Sequence, residues 1–374
     1  MLKELYIDNY KSLVNFLYEP KGMQLLVGDN GSGKSSVFDV LEKLKAIITH
    51  GVTTTEAFPT STLTVWDQRS EQKFEVHFAG NGGDYSYQIE IEHERRLLKN
   101  RVKYEALMFD DTLIYEFDGK DAHLYRDDGT EGPVFPFEWS RSAIATIPER
   151  ADNQLLSWFR HRMERVYVFS PDPIQMQANS DSELESPDRR LHQLSSWLRH
   201  LSQETTNLPG ELQKLLSDGA LPGLKQLKFE KVSESMRTLK LEFERAPASS
   251  MGNGSNSYLL TFDQLSDGQR NLVALYTILC AAIGPDTTIC LDEPDNFVAL
   301  PEIQPWLTAI SDRVQDSGGQ CLLISHHPEV MNYLAADRGV VLSRDDGGPT
   351  RIQRFEWSKD ELIAPAELVL RGWK

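Results

Sequence analysis

Along this chain of 374 residues the spacing of apolar positions changes period several times. Leu2–Asn9 and Gly22–Val27 read as short strands, the second running straight into a glycine-rich turn. Val37, Phe38, Val40, Leu41, Leu44 and Ile48 recur at helical spacing and predict a helix from Lys34 to Thr49. Between Leu63 and Phe137 the period becomes two, most clearly in Phe74–Phe78, Tyr85–Glu92 and Leu113–Phe117. Gly80-Asn81-Gly82-Gly83 and Asp127-Asp128-Gly129 punctuate these runs, so a meandering antiparallel sheet is expected after the first helix. Residues 150–164 read as helix, Val166–Phe169 as a short buried strand, and 186–218 as helices broken at Pro209-Gly210. Strands are expected at Leu227–Val232, Thr238–Glu244 and Tyr258–Phe262, with a loop rich in Ser, Gly and Asn at Ala248–Ser257. From residue 266 the order is helix, strand, helix, strand, helix and a hairpin, Gly339–Ser343 with Arg351–Phe355. No internal repeat or heptad run appears, although 258 positions separate Lys34 from Asp292.

Three of the turns in this pattern carry chemistry. Gly28-Asp29-Asn30-Gly31-Ser32-Gly33-Lys34-Ser35 fits G-x-x-x-x-G-K-S/T at every fixed position, and it follows a strand and opens a helix. Such glycines let the backbone N–H groups wrap a phosphate, and the helix start adds positive potential. Lys34 is then expected at the β- and γ-phosphates of ATP and Ser35 on Mg²⁺, with Ser36 at the edge of the same cradle. Thr288–Glu293 reads as a buried strand ending in two acids. Ligands sit at the carboxyl end of such a strand, where Asp292 suits Mg²⁺ and Glu293 suits the attacking water. Leu265-Ser266-Asp267-Gly268-Gln269-Arg270 precedes an apolar helix, and Ser266 with Gln269 forms a capping box. Cys321–Ile324 reads as a further buried strand, ending in Ser325-His326-His327-Pro328.

Together these residues resemble the ABC-type ATPases, in particular the SMC/RecF-like branch. Leu5–Leu13 followed by Leu25–Gly31 looks like that branch's opening strand and its Gly-x-Asn-Gly cradle. Leu-Ser-Asp-Gly-Gln at 265–269 is similar to the family's Leu-Ser-Gly-Gly-Gln signature. Asp292–Asn296 resembles the Asp-Glu-Pro-Glu-Asn run of stand-alone bacterial ATPases, including those tied to overcoming-lysogenisation-defect nucleases and phage defence. The resemblance implies an α/β fold: a P-loop ABC-type head with a mainly parallel central sheet flanked by helices, an antiparallel β insertion, a helical and β second lobe, and no coiled-coil arms. It implies that 1–50 and 263–374 form the ATPase core, 51–165 the β-rich insertion and 166–262 the second lobe. It places His326 at the γ-phosphate, Ser266, Gly268 and Gln269 on the γ-phosphate of a second protomer, and Tyr10 or Lys11 at the base or α-phosphate. The branch's Mg²⁺-sensing glutamine is displaced here, with Gln175 or Gln177, or neither, in its role. Val298-Ala299-Leu300-Pro301 stands where the family's dimer loop carries an Asp. The strong motifs lie within residues 1–45 and 262–334.

Composition narrows the partners. Lys plus Arg number 39 against 56 Asp plus Glu, a net charge of −17. Bulk charge therefore opposes nucleic-acid coating, and a DNA contact would need a local basic groove. Candidate basic clusters are Arg95-Arg96 with Lys99, Arg101 and Lys103; Arg160, Arg162 and Arg165; and Arg189-Arg190 with Arg199. No run approaches the ~18 apolar residues of a membrane helix, no signal peptide opens the chain, and Cys280, Cys290 and Cys321 read as buried free thiols of a cytoplasmic protein. The expected function is an ATPase that dimerises around two ATP molecules and couples hydrolysis to nucleic-acid processing or to a nuclease or defence partner. The alternatives are an ATP-dependent scaffold with slow turnover and, less well matched in length, a transporter's ATP-binding subunit.

Overall fold

The computed structural model describes residues 1–245, 257–357 and 363–371. The chain runs β1 (Leu2–Asp8), β2 (Phe16–Tyr18), β3 (Met23–Val27), α1 (Lys34–His50) and α2 (Thr54–Ala57). It continues through β4 (Glu71–Gly80), β5 (Gly83–Glu94), β6 (Lys99–Phe109), β7 (Thr112–Phe117), β8 (Asp121–Tyr125) and β9 (Glu131–Pro136). Then come α3 (Gln154–Glu164), β10 (Val166–Phe169), β11 (Asn179–Ser180), α4 (Leu194–Glu204), α5 (Leu208–Leu215), β12 (Leu224–Lys231), β13 (Arg237–Glu244) and β14 (Ser257–Thr261). The last part holds α6 (Asp267–Ala281), β15 (Thr288–Asp292), α7 (Leu300–Ser317), β16 (Gln320–Ile324), α8 (Pro328–Arg338), β17 (Gly339–Arg344), β18 (Thr350–Arg354) and α9 (Pro365–Leu370).

The central sheet has the order β10-β15-β16-β3-β17-β18, with β18 alone antiparallel. Its inner strands β15, β16 and β3 are buried on both faces and largely apolar, as burial from both sides demands. Successive residues feed different cores: Leu26, Cys290, Leu322 and Ile324 join one cluster, and Leu25, Val27, Leu291 and Leu323 the other. α1 lies in the first cluster, between the central sheet and an eight-stranded antiparallel sheet ordered β2-β1-β4-β5-β6-β7-β8-β9. The period-two pattern explains that sheet: Phe74, Val76, Phe78, Tyr85, Tyr87, Ile89 and Ile91 point inward while their neighbours stay wet. α6, α7 and α8 and the β11–β14 sheet share the second cluster.

One expectation needs correction. The break in 186–218 lies at Thr205–Asn207, not at Pro209-Gly210. Pro209 sits in the first turn of α5, where its missing N–H removes no helical bond. The opening strand β1 pairs with β2 and β4 and so joins the antiparallel sheet. Gln320 ties the two sheets together, meeting the backbone of Leu2 through both N–H and C=O, the Lys21 carbonyl and the Thr288 hydroxyl. Most of the loop expected at Ala248–Ser257 lies outside the described residues. Cys290 and Cys321 are buried free thiols, and Cys280 is half-buried. No helix among the described residues is long and apolar enough to cross a membrane.

Candidate functional site

The turn from β3 into α1 wraps around its own lysine. Gly28, Gly31 and Gly33 take φ values of 142°, 79° and 101°, which side-chain-bearing residues rarely adopt. A Cβ on Gly28 would lie 2.1 Å from the Leu342 carbonyl oxygen, so β17 itself excludes a side chain there. The Lys34 ammonium is buried and donates to the carbonyls of Gly28 at 2.7 Å and Asp29 at 2.9 Å. Burial lowers its pKa, while Glu293, Asp292 and Asp29 pull the other way. No side chain caps α1, and its first turn holds no acid, so its leading N–H groups suit an anion. Behind the loop, the Thr350 hydroxyl donates to the Ser32 carbonyl at 2.8 Å and pairs with the Ser12 hydroxyl at 2.9 Å.

Beside the cradle, β15 ends in its two acids. Asp292 is buried beside the Ser35 hydroxyl, which favours its charged form. Burial raises its pKa against the pull of Ser35 and Arg189. Hydroxyl and carboxylate oxygens thus stand together, a hard donor pair that fits Mg²⁺. Glu293 adopts a left-handed φ of 51° and its N–H donates to the Ile324 carbonyl at 2.9 Å. That turn throws its carboxylate toward His326, whose Nε2 is 3.7 Å from Glu293 Oε1, while Asn296 Nδ2 donates to Oε2 at 2.9 Å. His327, without a role in the sequence reading, caps α8 by accepting from the Glu329 N–H.

Asn30, Gly31, Gly33, Lys34, Ser35, Ser36, Glu293 and His326 line one cleft of about 470 Å³, with Gly28, Asp29, Ser32 and Asp292 forming its underlying frame. Ser266, Gly268 and Gln269 do not line it. Ser266 caps α6 reciprocally with Gln269, and Gly268 is required because a Cβ would meet the Phe297 carbonyl oxygen at 2.6 Å. Tyr10 is not at the cleft: it is fully buried, edge-on to Phe58 and Phe74. Lys11 does line the cleft and pairs with Asp39 at 2.8 Å. Gln175 and Gln177 are both exposed and outside it, Gln175 donating to Asp172 at 2.7 Å.

Three residues at the site escape sequence reasoning. Arg189 bridges Asp39, Glu42 and Asp292. Trp66 and Arg344 form one wall of the cleft, the guanidinium 5.4 Å from the indole ring centre and also bonded to the Gly31 carbonyl. In the sequence Val65-Trp66 is an apolar pair just before a polar stretch, and the structure leaves both exposed. The basic clusters are largely drawn into the protein's own contacts. Arg101 pairs with Glu92 and Lys103 with Glu71, Arg162 is buried over the Phe78 ring, and Arg199 pairs with Glu183.

Residues 25–332 match the family described as "AAA domain, putative AbiEii toxin, Type IV TA system". The chain belongs to this AAA-domain family. Its fold is similar to the crystal structure of an SmcHead bound to the C-winged helix domain of ScpA, at 14% identity and a TM-score of 0.56, covering 95% of this chain and 98% of that one. The SMC head domain from Thermotoga maritima matches at 15% identity and a TM-score of 0.47, covering 95% and 99%. No curated protein matches. This AAA-domain chain thus has a fold similar to an SMC head, and no coiled-coil arms are found among its described residues.

Proposed function

We propose that the protein hydrolyses ATP with Mg²⁺ in a dimer that encloses two nucleotides. The observation that carries this reading is the division of the motifs. Lys34, Ser35, Asp292, Glu293 and His326 converge around one cleft, whereas the capped start of α6 stands exposed and apart from it. A cleft holding only one half of the motif set is what a site completed by a second copy requires. In this reading the backbone from Gly28 to Gly33 cradles the phosphates, and Lys34 meets the β- and γ-phosphates. Ser35 and Asp292 hold the metal ion, which supplies charge neutralisation at the phosphates when bound. Glu293 orients and deprotonates water, and His326 steadies both Glu293 and the γ-phosphate. Trp66 with Arg344 offers the base a flat cationic wall. Ser266, Gly268 and Gln269 of the second copy close the site through the first-turn N–H groups of α6 that the capping box leaves open.

Coupling to nucleic-acid processing, or to a nuclease or defence partner, is the reading of purpose we favour. The family's description, which names a toxin–antitoxin system, supports a defence setting. The internal pairing of the basic clusters favours a protein partner over extended DNA contact. Light scattering on Glu293→Gln with ATP and Mg²⁺ tests the central claim: a mass shift from monomer to dimer is expected, and a persistent monomer at saturating nucleotide would overturn the enclosed-site reading.

A further inference from the structure

We propose that Arg189 is the resident counter-ion of Asp292, exchanged when a divalent cation is taken up, and that it thereby sets the Mg²⁺ concentration at which nucleotide binds. This rests on the site reading above. The guanidinium touches three carboxylates: Nη1 lies 2.7 Å from Asp39 Oδ1 and 2.9 Å from Glu42 Oε2, and Nη2 lies 3.2 Å from Asp292 Oδ2. Asp292 is buried at the carboxyl end of β15, and a buried carboxylate without a cation is costly. Arg189 offsets that cost, and it cannot do so by proton exchange because a guanidinium stays charged. The contact with Asp292 is the longest of the three. Asp39 and Glu42 both lie on α1, so they retain Arg189 when it gives up Asp292 Oδ2. Lys11 Nζ holds the other Asp39 oxygen at 2.8 Å and keeps that acid in place. The backbone carbonyl of Arg189 accepts from the Ser170 N–H, so the residue is positioned from the segment that follows β10.

The test is a Mg²⁺ titration of mant-ATP binding to the full chain, followed by fluorescence anisotropy, on the wild type, Arg189→Gln and Arg189→Lys. Loss of one charge-assisted competitor should lower the half-saturating Mg²⁺ about tenfold in Arg189→Gln. Arg189→Lys keeps a charge but cannot fork to three carboxylates, so its midpoint should fall between the other two. An unchanged or raised midpoint in whichever variant folds, judged by circular dichroism, overturns the inference. Absence of Mg²⁺-dependent binding in the wild type would instead overturn the site reading and this inference with it.

Discussion

The imidazole of His326 sits 3.7 Å from the Glu293 carboxylate, and the two groups come from the ends of adjacent parallel strands. Glu293 reaches that position only by turning its backbone to a φ of 51°, fixed by its N–H bond to Ile324. A non-glycine residue held in this region costs of order 1 kcal/mol and persists where the surroundings enforce it. The turn separates two neighbouring acids into different surroundings: Asp292 faces Ser35 and Arg189, and Glu293 faces the open cleft.

Glu293→Gln should therefore leave nucleotide affinity within a few-fold of wild type and lower the turnover number by about 100-fold or more, the scale of a lost general base. Phosphate release and calorimetric binding, run in parallel, separate the two effects. Equal loss of binding and turnover would mean that Glu293 has a structural part in the cleft and no part in the chemistry.

Lys34→Ala should lose nucleotide binding by about 100-fold, because one buried ammonium would supply charge-assisted bonds to two phosphates. The same change frees the Gly28 and Asp29 carbonyls that Lys34 now holds, so a modest fall in melting temperature should accompany it. Calorimetry on the folded variant measures the binding term, and wild-type affinity there would remove the cradle assignment.

The cradle glycines can be told apart by substitution. Gly28→Ala drives a Cβ to 2.1 Å from a backbone oxygen of β17 as well as enforcing an unfavourable φ, and should cost about 3 kcal/mol or prevent folding. Gly31→Ala meets nothing within 4 Å and carries only the left-handed backbone cost, about 1 kcal/mol. Denaturant melts of the two variants should differ in that order; similar losses would show that the contact with Leu342 does not constrain the loop.

Contiguous signals made much of this arrangement legible. The cradle, the Asp-Glu strand end and the Ser-x-x-Gln cap each depend on residues within one turn of each other, and each sits where its local pattern placed it. The period-two stretch likewise announced its sheet, since alternation reflects one dry face. Contacts between distant segments were not legible. Leu2–Asp8 has the same apolar pattern whether it enters a parallel or an antiparallel sheet, and only pairing with Glu71–Gly80 decides. Arg189 lies 103 positions from Asp292 and 150 from Asp39, and an Arg-Arg pair in sequence reads as a wet surface. Of Tyr10 and Lys11, the alternatives that the resemblance offered, Lys11 lines the cleft, while the Tyr10 ring packs into the core against Phe58 and Phe74, a contact between distant segments.

Gly268→Ala probes the far side of the proposed enclosed site. Its Cβ would press the Phe297 carbonyl at 2.6 Å and push the loop between β15 and α7 away from α6. Asn271 Nδ2 holds the same loop through the Pro294 and Asn296 carbonyls, so strain of about 1–3 kcal/mol is expected rather than free adjustment. Turnover should fall while nucleotide binding to the separate subunit is spared. Ser266→Ala should cost about 1 kcal/mol as a lost cap, and Ser266→Arg should block turnover by bulk alone. Wild-type turnover in Ser266→Arg would leave the α6 start as a helix cap only.

His93 should make the segment behind the cleft wall sensitive to acid. Its imidazole is buried, with Nε2 2.9 Å from Gln72 Oε1, and Gln72 in turn donates to the Asn9 carbonyl and the Thr62 hydroxyl. Burial, aided by the nearby Arg95 charge, lowers its pKa from 6.5 to about 4. The unfolded chain therefore binds a proton between these values that the folded chain refuses, so stability rises with pH across that window and is lost as pH falls through it. The shift corresponds to at most about 3 kcal/mol. Melting temperatures taken from pH 7 down to pH 4 should fall, and His93→Asn, which keeps a donor without a titrating ring, should flatten that slope. Because the same network secures the segment leading to Leu63 and Trp66, tryptophan fluorescence should change over the same interval in the wild type and less in the variant. An identical pH slope in both proteins would assign the acid sensitivity to other groups.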